Sequence, residues 1–169
     1  MKKHVFLVLF LLSQLIAHAQ ILDPIKWKIQ FKDKAGSEKE IIFTAKMDDG
    51  WHIYNTDLPD GGPVSTSFNY EKIQGATLIG KTIAKSKEIR KIVPEYKNME
   101  LSWFVNEAIF VQKIRVTDKA KFLISGHVQF MGCNDERCIP PTSEKFRFSG
   151  KDLSLDANSP ASEKKKMNR

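Results

Sequence analysis

The chain has 169 residues, of which 41% are apolar and 28% are charged, and its formal net charge is +7. These proportions are typical of one globular domain with a buried core and exclude a disordered or low-complexity chain. The basic segment from Lys81 to Lys97 lacks the interleaved stacking aromatics of a nucleic-acid site. We therefore expect no nucleic-acid partner and interpret this segment as a solvated basic face, with attraction to an acidic partner as the alternative.

Residues 1–19 have the pattern of a cleavable export signal. Lys2 and Lys3 precede an almost wholly apolar run over residues 5–16, and Ala17-His18-Ala19 supplies the small-x-small site of a signal peptidase. The run is shorter than the roughly 20 residues that a transmembrane helix needs. We therefore expect cleavage after Ala19 rather than a buried amino-terminal helix. No second apolar run follows, so we expect no membrane span after cleavage and an oxidising compartment in which disulfides persist.

From Pro24 onward apolar and polar side chains alternate, which is the period of a β-strand with one buried face. The strand from 122 to 130 is predicted to be the longest and leads directly to Cys133. Almost no window has the 3.6-residue period of a helix. The other predicted strands, separated by turn signals, lie near residues 25–31, 41–47, 51–54, 67–70, 76–80, 101–104, 108–116 and 146–148.

This succession of short strands predicts an all-β, immunoglobulin-like antiparallel β-sandwich over residues 20–150. Residues 151–169 contain Lys164-Lys165-Lys166 and few apolar side chains. They are predicted to form a disordered basic tail.

The two cysteines, Cys133 and Cys138, flank four polar or charged residues. One interpretation is a structural disulfide, but a closed loop this short would contribute only about 2 kcal/mol. Another is a redox-active pair that cycles between dithiol and disulfide. The short loop can bring the two Cα atoms within the about 4.4–6.8 Å that a disulfide needs, and its polarity keeps a sulfur accessible for exchange through a mixed disulfide.

Two further interpretations use the histidines. His52 and His127 together with both cysteines could form a Cys₂His₂ zinc site, or Met131 could join the thiolates around copper(I). The spacing is weak evidence, and His127 is predicted on the exposed face of its strand. A cysteine nucleophile with a histidine base, as in hydrolases, leaves the second cysteine without a role.

The residues around the cysteines resemble the redox loop of the amino-terminal periplasmic domain of DsbD, a transmembrane thiol reductase. The resembling block begins with Gln129-Phe130-Met131-Gly132-Cys133 and ends with Cys138-Ile139-Pro140-Pro141. A second block, residues 49–54 followed by Gly61-Gly62-Pro63 and Thr66-Ser67-Phe68, is similar to the early strands of that family. The resemblance covers residues 25–149 and implies an immunoglobulin-like sandwich in the periplasm that carries reducing equivalents without a cofactor.

The resemblance also implies roles for individual residues. The cysteine that forms the mixed disulfide in the family maps to Cys138, so Cys133 is the resolving or buried partner. An aromatic pair beside the cysteines maps to His52 and Tyr54, with histidine replacing the first aromatic. The cap loop that covers the cysteines in the family maps to the segment from 95 to 100. Its candidate residues are Glu95, Tyr96 and Met99, and either Tyr96 or Met99 would be the lid side chain.

The implied activity is thiol-disulfide exchange by an oxidoreductase of the protein-disulfide reductase type. Its partners in the family are thioredoxin-like periplasmic proteins, including those of cytochrome c maturation. The transmembrane and thioredoxin-like domains of DsbD have no counterpart in this sequence, so we expect a monomer that exchanges electrons with separate thioredoxin-like proteins or a separate membrane electron transporter. The alternatives are an exported binding module with a structural disulfide, and the zinc or copper protein described above.

Overall fold

The computed structural model describes residues 22–33 and 36–153, and almost all of its regular structure is β-strand. The predicted signal peptide and residues 154–169 of the predicted tail lie outside the described residues. The strands are β1 (Ile25–Asp33), β2 (Glu38–Met47), β3 (His52–Tyr54), β4 (Ser67–Gln74), β5 (Ala76–Ala84), β6 (Ile89–Val93), β7 (Met99–Val105), β8 (Glu107–Val116), β9 (Leu123–Phe130), β10 (Gly132–Cys133) and β11 (Thr142–Ser149). Residues 22–33 and 36–153 also contain two short 3-10 helices, Pro94–Tyr96 and Gly150–Leu153.

The strands form three antiparallel sheets. Sheet A has the order β1-β2-β8-β5, sheet B has β10-β3-β7-β6, and sheet C has β11-β9-β4. Neighbouring strands pair antiparallel throughout. The protein is therefore the all-β, immunoglobulin-like antiparallel sandwich that the sequence predicts. Within residues 22–33 and 36–153, no helix is long and apolar enough to cross a membrane.

Aromatic rings join the three sheets across a common core. Phe110 of sheet A lies 5.1 Å from Phe68 of sheet C and 5.3 Å from Phe104 of sheet B, measured between ring centroids. Phe43, also in sheet A, contacts Phe68 at 4.7 Å and Phe146 of sheet C at 5.2 Å. Full burial of such a side chain contributes about 1.5–3 kcal/mol. Sheet A therefore packs against both other sheets.

The chain reaches the cysteines by changing sheets. β9 pairs with β4 and β11 in sheet C, and after Met131 the chain enters β10, which pairs with β3 in sheet B. A Cβ atom on Gly132 would lie 2.9 Å from Cγ1 of Ile25, so glycine allows β10 to approach the first residue of β1. The predicted course through the 122–130 strand is confirmed. The prediction that it is the longest strand is wrong, since β2 and β8 have 10 residues and β9 has 8.

Strand β6 lies where the sequence predicts none, inside the basic segment. Among the described strands it pairs with β7 alone, and it is one of the two edge strands of sheet B. Its Ile92 is 66% exposed, and Arg90 and Lys91 are also exposed. Edge strands tolerate charged side chains, which protect them from pairing with other chains. A solvated edge therefore shows no apolar alternation in its sequence.

Packed structure continues three residues beyond the predicted domain end at 150. In the 3-10 helix Gly150–Leu153, the side chain of Leu153 packs against the main core. The backbone N–H of Ser149 donates a hydrogen bond to Oδ2 of Asp152 at 2.6 Å. This hydrogen bond satisfies the N–H of the last residue of β11.

Candidate functional site

Cys133 and Cys138 form a disulfide at the tip of a short hairpin. Their Cα atoms are 4.0 Å apart, slightly closer than the sequence predicts, and the two residues pair as an isolated antiparallel bridge. Just outside the pair, the N–H of Ile139 donates to the carbonyl of Gly132 at 2.8 Å. The returning chain is thereby held against β10.

Asn134 organises the turn between the cysteines. Its Oδ1 accepts hydrogen bonds from the N–H groups of Glu136, at 3.0 Å, and Arg137, at 2.8 Å. Its own N–H donates to the carbonyl of Arg137 at 2.9 Å. Asparagine side chains favour such turns because they replace a backbone acceptor. The turn is therefore ordered although its residues 135–138 are all exposed.

The two cysteines differ sharply in exposure. Cys133 is 2% exposed, whereas Cys138 is exposed. Cys133 belongs to a small apolar cluster that is separate from the main core. Of the two residues, only Cys138 can be reached from solvent without opening the hairpin.

The cluster around Cys133 lies on the face of sheet B that points away from the main core. Ile53 and Phe104 belong to the core, and their neighbours along β3 and β7 point to the opposite face because side chains alternate in a strand. The buried members of the cluster are Cys133, Tyr54 and Leu101, and the side chains packed against them are Leu58, Val93, Tyr96, Met99, Trp103 and Met131. Each face of sheet B is therefore covered by apolar side chains.

The structure places His52 and Tyr54 beside the disulfide. His52 is the direct cross-strand partner of Cys133, and its ring centroid is 5.1 Å from that of Tyr54 and 5.8 Å from that of Trp103. Burial lowers the pKa of His52, while the charge of Asp135 raises it. Burial, assisted by the nearby Tyr96, raises the pKa of Tyr54 to about 12. Both side chains are therefore mainly uncharged at pH 7.

The predicted cap is a tight connection between β6 and β7. It consists of the 3-10 helix Pro94–Tyr96 followed by Lys97 and Asn98, whose φ angles are 55° and 59°. Met99 is already the first residue of β7. Tyr96 and Met99 both pack into the cysteine cluster, whereas Glu95 is exposed.

The glycine-rich loop after β3 also reaches this cluster. A Cβ atom on Gly61 would lie 3.5 Å from Cε of Met99, and one on Gly62 would lie 3.5 Å from Cδ2 of Leu101. The loop therefore lies directly against Met99, one of the two predicted lid side chains. The two sequence blocks that resemble DsbD meet at this cluster, because β3 of one block pairs with β10 of the other.

The metal interpretation lacks its ligand set. His127 lies on β9 in sheet C, where its Nδ1 is 2.8 Å from Oε1 of Glu71. In the part of the chain that the structure describes, no three His, Cys, Asp or Glu side chains are grouped so that they could hold a metal ion. Of the two candidate histidine ligands, only His52 lies beside the cysteines.

The family model described as "Thiol:disulfide interchange protein DsbD, N-terminal" matches residues 18–150. The chain belongs to this family. A search of curated proteins found no match to this DsbD-type chain. The family match includes both cysteines and all described residues except 151–153.

Two solved structures are similar to this DsbD-type domain. One is the N-terminal periplasmic domain of ScsB from Proteus mirabilis, with a TM-score of 0.55 and 14% identity, covering 80% of this chain and 50% of that chain. The other is the DsbD n-terminal domain of Neisseria meningitidis in the reduced form, with a TM-score of 0.49 and 12% identity, covering 81% of this chain and 91% of that chain. The present chain thus spans half the length of the ScsB chain, and that likeness supports the fold.

Sequence reasoning missed Leu101 and Trp103 as site residues of this DsbD-type domain. Both lie on β7, where they alternate with Ser102 and Phe104. A strand with apolar side chains on both faces is typical of a sheet that is covered on both sides. That pattern was the available signal for a second apolar cluster.

Proposed function

We propose that this DsbD amino-terminal family domain is a periplasmic thiol-disulfide oxidoreductase that relays reducing equivalents through Cys133 and Cys138. Its partners are exported thioredoxin-like proteins, such as those of cytochrome c maturation, or a separate membrane electron transporter. The observation that carries the proposal is the unequal burial of the pair, with Cys133 2% exposed and Cys138 exposed. Exchange through a mixed disulfide needs one accessible sulfur and a second sulfur close enough to resolve the adduct.

The exchange begins when a partner thiolate attacks Sγ of Cys138. The Cys133–Cys138 bond breaks, its electron pair stays on Cys133, and a mixed disulfide joins Cys138 to the partner. The partner's second thiolate then attacks the partner sulfur of the mixed disulfide, and Cys138 leaves as a thiolate. Two electrons and two protons have passed to the domain, and the partner holds a disulfide. The same steps in reverse reduce an oxidised partner.

The organisation of the hairpin supports exchange over a purely structural role. A disulfide that closes so short a loop contributes about 2 kcal/mol by chain entropy. The main core, built from rings of all three sheets, does not depend on it. The bond instead lies at an exposed turn, and Asn134 orders that turn through hydrogen bonds that do not involve the sulfurs.

The proposal predicts a moderate reduction potential for the disulfide. Equilibration with thiol-disulfide buffers should give a value above about −300 mV, in the range of exchange proteins rather than of inert structural bridges. Thiol labelling followed by mass spectrometry measures the reduced fraction. A value well below that limit, together with unchanged partner binding by a Cys133→Ser, Cys138→Ser double variant, would instead indicate a binding module with a structural disulfide.

The cap is expected to shield Cys133 in the reduced protein. Replacing Tyr96 or Met99 with alanine removes packing from the cluster, and about 1.4 kcal/mol of lost packing would speed alkylation of Cys133 roughly tenfold through local opening. The rate is measured with iodoacetamide in a Cys138→Ser background, so that only Cys133 reacts. Glu95→Ala is the matched control, because Glu95 is exposed on the same turn. Unchanged rates in both cap variants would remove the shielding role.

A further inference from the structure

We propose that His52 is the proton acceptor for the thiol of Cys133 during the exchange reaction, an assignment that rests on the proposed function. The resemblance to DsbD gives this position only a site-lining role, because an aromatic residue occupies it in that family. A histidine brings a titratable ring nitrogen to the same place. The chain would therefore have an acid-base group that the aromatic residue does not supply.

The register of the strands places the two side chains together. His52 is the direct partner of Cys133 in the β3–β10 pair, next to the pair formed by Ile53 and Gly132. Directly opposed residues of an antiparallel pair point to the same face, with their Cβ atoms about 4.5–5.5 Å apart. An imidazole ring is long enough to span that separation. The two residues hence form one unit on the cluster face of sheet B.

Few other groups around His52 can titrate. Its cross-strand partner on β7 is Val105, and Trp103 on the same strand contacts its ring. On its own strand it contacts Tyr54, which stays protonated at neutral pH because its pKa is raised to about 12. From the hairpin, Cys133 and the carboxylate of Asp135 face it. Among these groups, the imidazole is the one suited to accept a proton near pH 7.

The chemistry of the resolving step requires such a group. A thiolate, not a thiol, attacks a disulfide, and a thiol in apolar surroundings ionises less readily than one in water. Cys133 is 2% exposed and packed among apolar side chains. It therefore needs a base within reach if it is to resolve an adduct at neutral pH.

The resolving step starts from a mixed disulfide between Cys138 and a partner. The Cys133 thiol gives its proton to the imidazole of His52, and the thiolate attacks Sγ of Cys138. The bond between Cys138 and the partner breaks, and the partner leaves as a thiolate that takes up a proton from the imidazolium or from water. The domain is oxidised and the partner is reduced. When the disulfide is opened instead, the departing Cys133 thiolate takes up a proton from water, relayed through the imidazole of His52.

The electrostatic setting agrees with this role. Burial lowers the pKa of His52, so the ring is mainly neutral at pH 7 and can accept a proton. The charge of Asp135 acts in the opposite direction and stabilises the imidazolium once it forms. Asp135 lies in the turn between Cys133 and Cys138, so its charge stays close to the two reacting sulfurs.

The test uses the reduced protein and the aromatic disulfide DTNB, which releases one coloured thiolate in each of two steps. The first release reports the attack by exposed Cys138 and hence the proposed function. The second reports resolution by Cys133 and hence the role of His52. His52→Gln should lower the ratio of the second rate to the first at pH 7 at least about tenfold, within the range of general-base effects. His52→Phe, which keeps an aromatic ring, should show the same loss.

The pH profile separates a base from a merely structural side chain. In the wild-type protein the second rate should fall below a pH set by the pKa of His52, which lies under the usual value of about 6.5. Asp135→Asn removes the charge that raises this pKa, so the inflection should move to lower pH. An unchanged ratio and profile in His52→Gln, or an inflection that stays in place in Asp135→Asn, would overturn the assignment. Absence of the first release would contradict the proposed function itself.

Discussion

Replacing Cys133 with alanine is expected to turn the domain into a trap that accumulates mixed disulfides with exported thioredoxin-like proteins. Cys138 remains exposed at the hairpin tip and can still attack or be attacked. The sulfur that would resolve the adduct is gone, so an intermediate that is transient in the wild-type protein becomes stable. Complete exchange should fall to background, and the adducts should appear on non-reducing gels and in mass spectra. In every adduct the partner should be linked to Cys138.

Cys138→Ala is the matched control for this trap. It leaves Cys133, which is 2% exposed and packed in its cluster, so adduct formation should fall at least about a hundredfold below that of the Cys133→Ala variant. Equal adduct formation by both variants would mean that the hairpin opens freely. Adducts formed by Cys138→Ala alone would reverse the roles of the two cysteines.

Much of the site chemistry is readable from one contiguous block of sequence. Gly132, both cysteines, the polar turn and the two prolines all lie between residues 129 and 141. The resemblance to DsbD implied that Cys133 is the resolving or buried partner, but the local residue pattern alone does not contain the unequal burial. It depends on pairing between β10 and β3, which brings His52 opposite Cys133 from far along the chain. Local patterns give residue types and turns, whereas exposure of a single sulfur is set by long-range pairing.

The fold shows the same division. Alternating apolar residues predict β2 well, because one of its faces lies against the core and the other does not. The same rule fails for β6, an edge strand whose exposed side chains carry no alternation. It also hides the second cluster, since β7 has apolar residues on both faces. The period of two therefore reports strands with one buried face, misses the edge strand β6, and does not show that β7 is covered on both faces.

The core ring of Phe110 is expected to carry the largest effect on stability. Phe110→Ala should lower the free energy of unfolding by about 3–5 kcal/mol, the usual cost of emptying a buried phenylalanine site. The ring is completely buried and contacts Trp27 of its own sheet, Phe68 of sheet C and Phe104 of sheet B. The cavity would lie where the sheets meet, so no single side chain can move to fill it. Urea unfolding of the oxidised protein, monitored by tryptophan fluorescence, measures the loss.

Two control variants make this expectation specific. Phe110→Leu keeps most of the apolar volume and should cost less than the alanine variant, whereas Ile92→Ala removes an apolar side chain that is 66% exposed and should change stability by about 0.5 kcal/mol or less. Because Phe104 connects Phe110 to the strand that carries Trp103, the alanine variant should also expose Cys133 in the reduced protein. If the alkylation rate of Cys133 rises more than the globally unfolded fraction of the variant can explain, sheet B separates locally from sheet A. A stability loss below about 1 kcal/mol would contradict the role of Phe110 in joining the sheets.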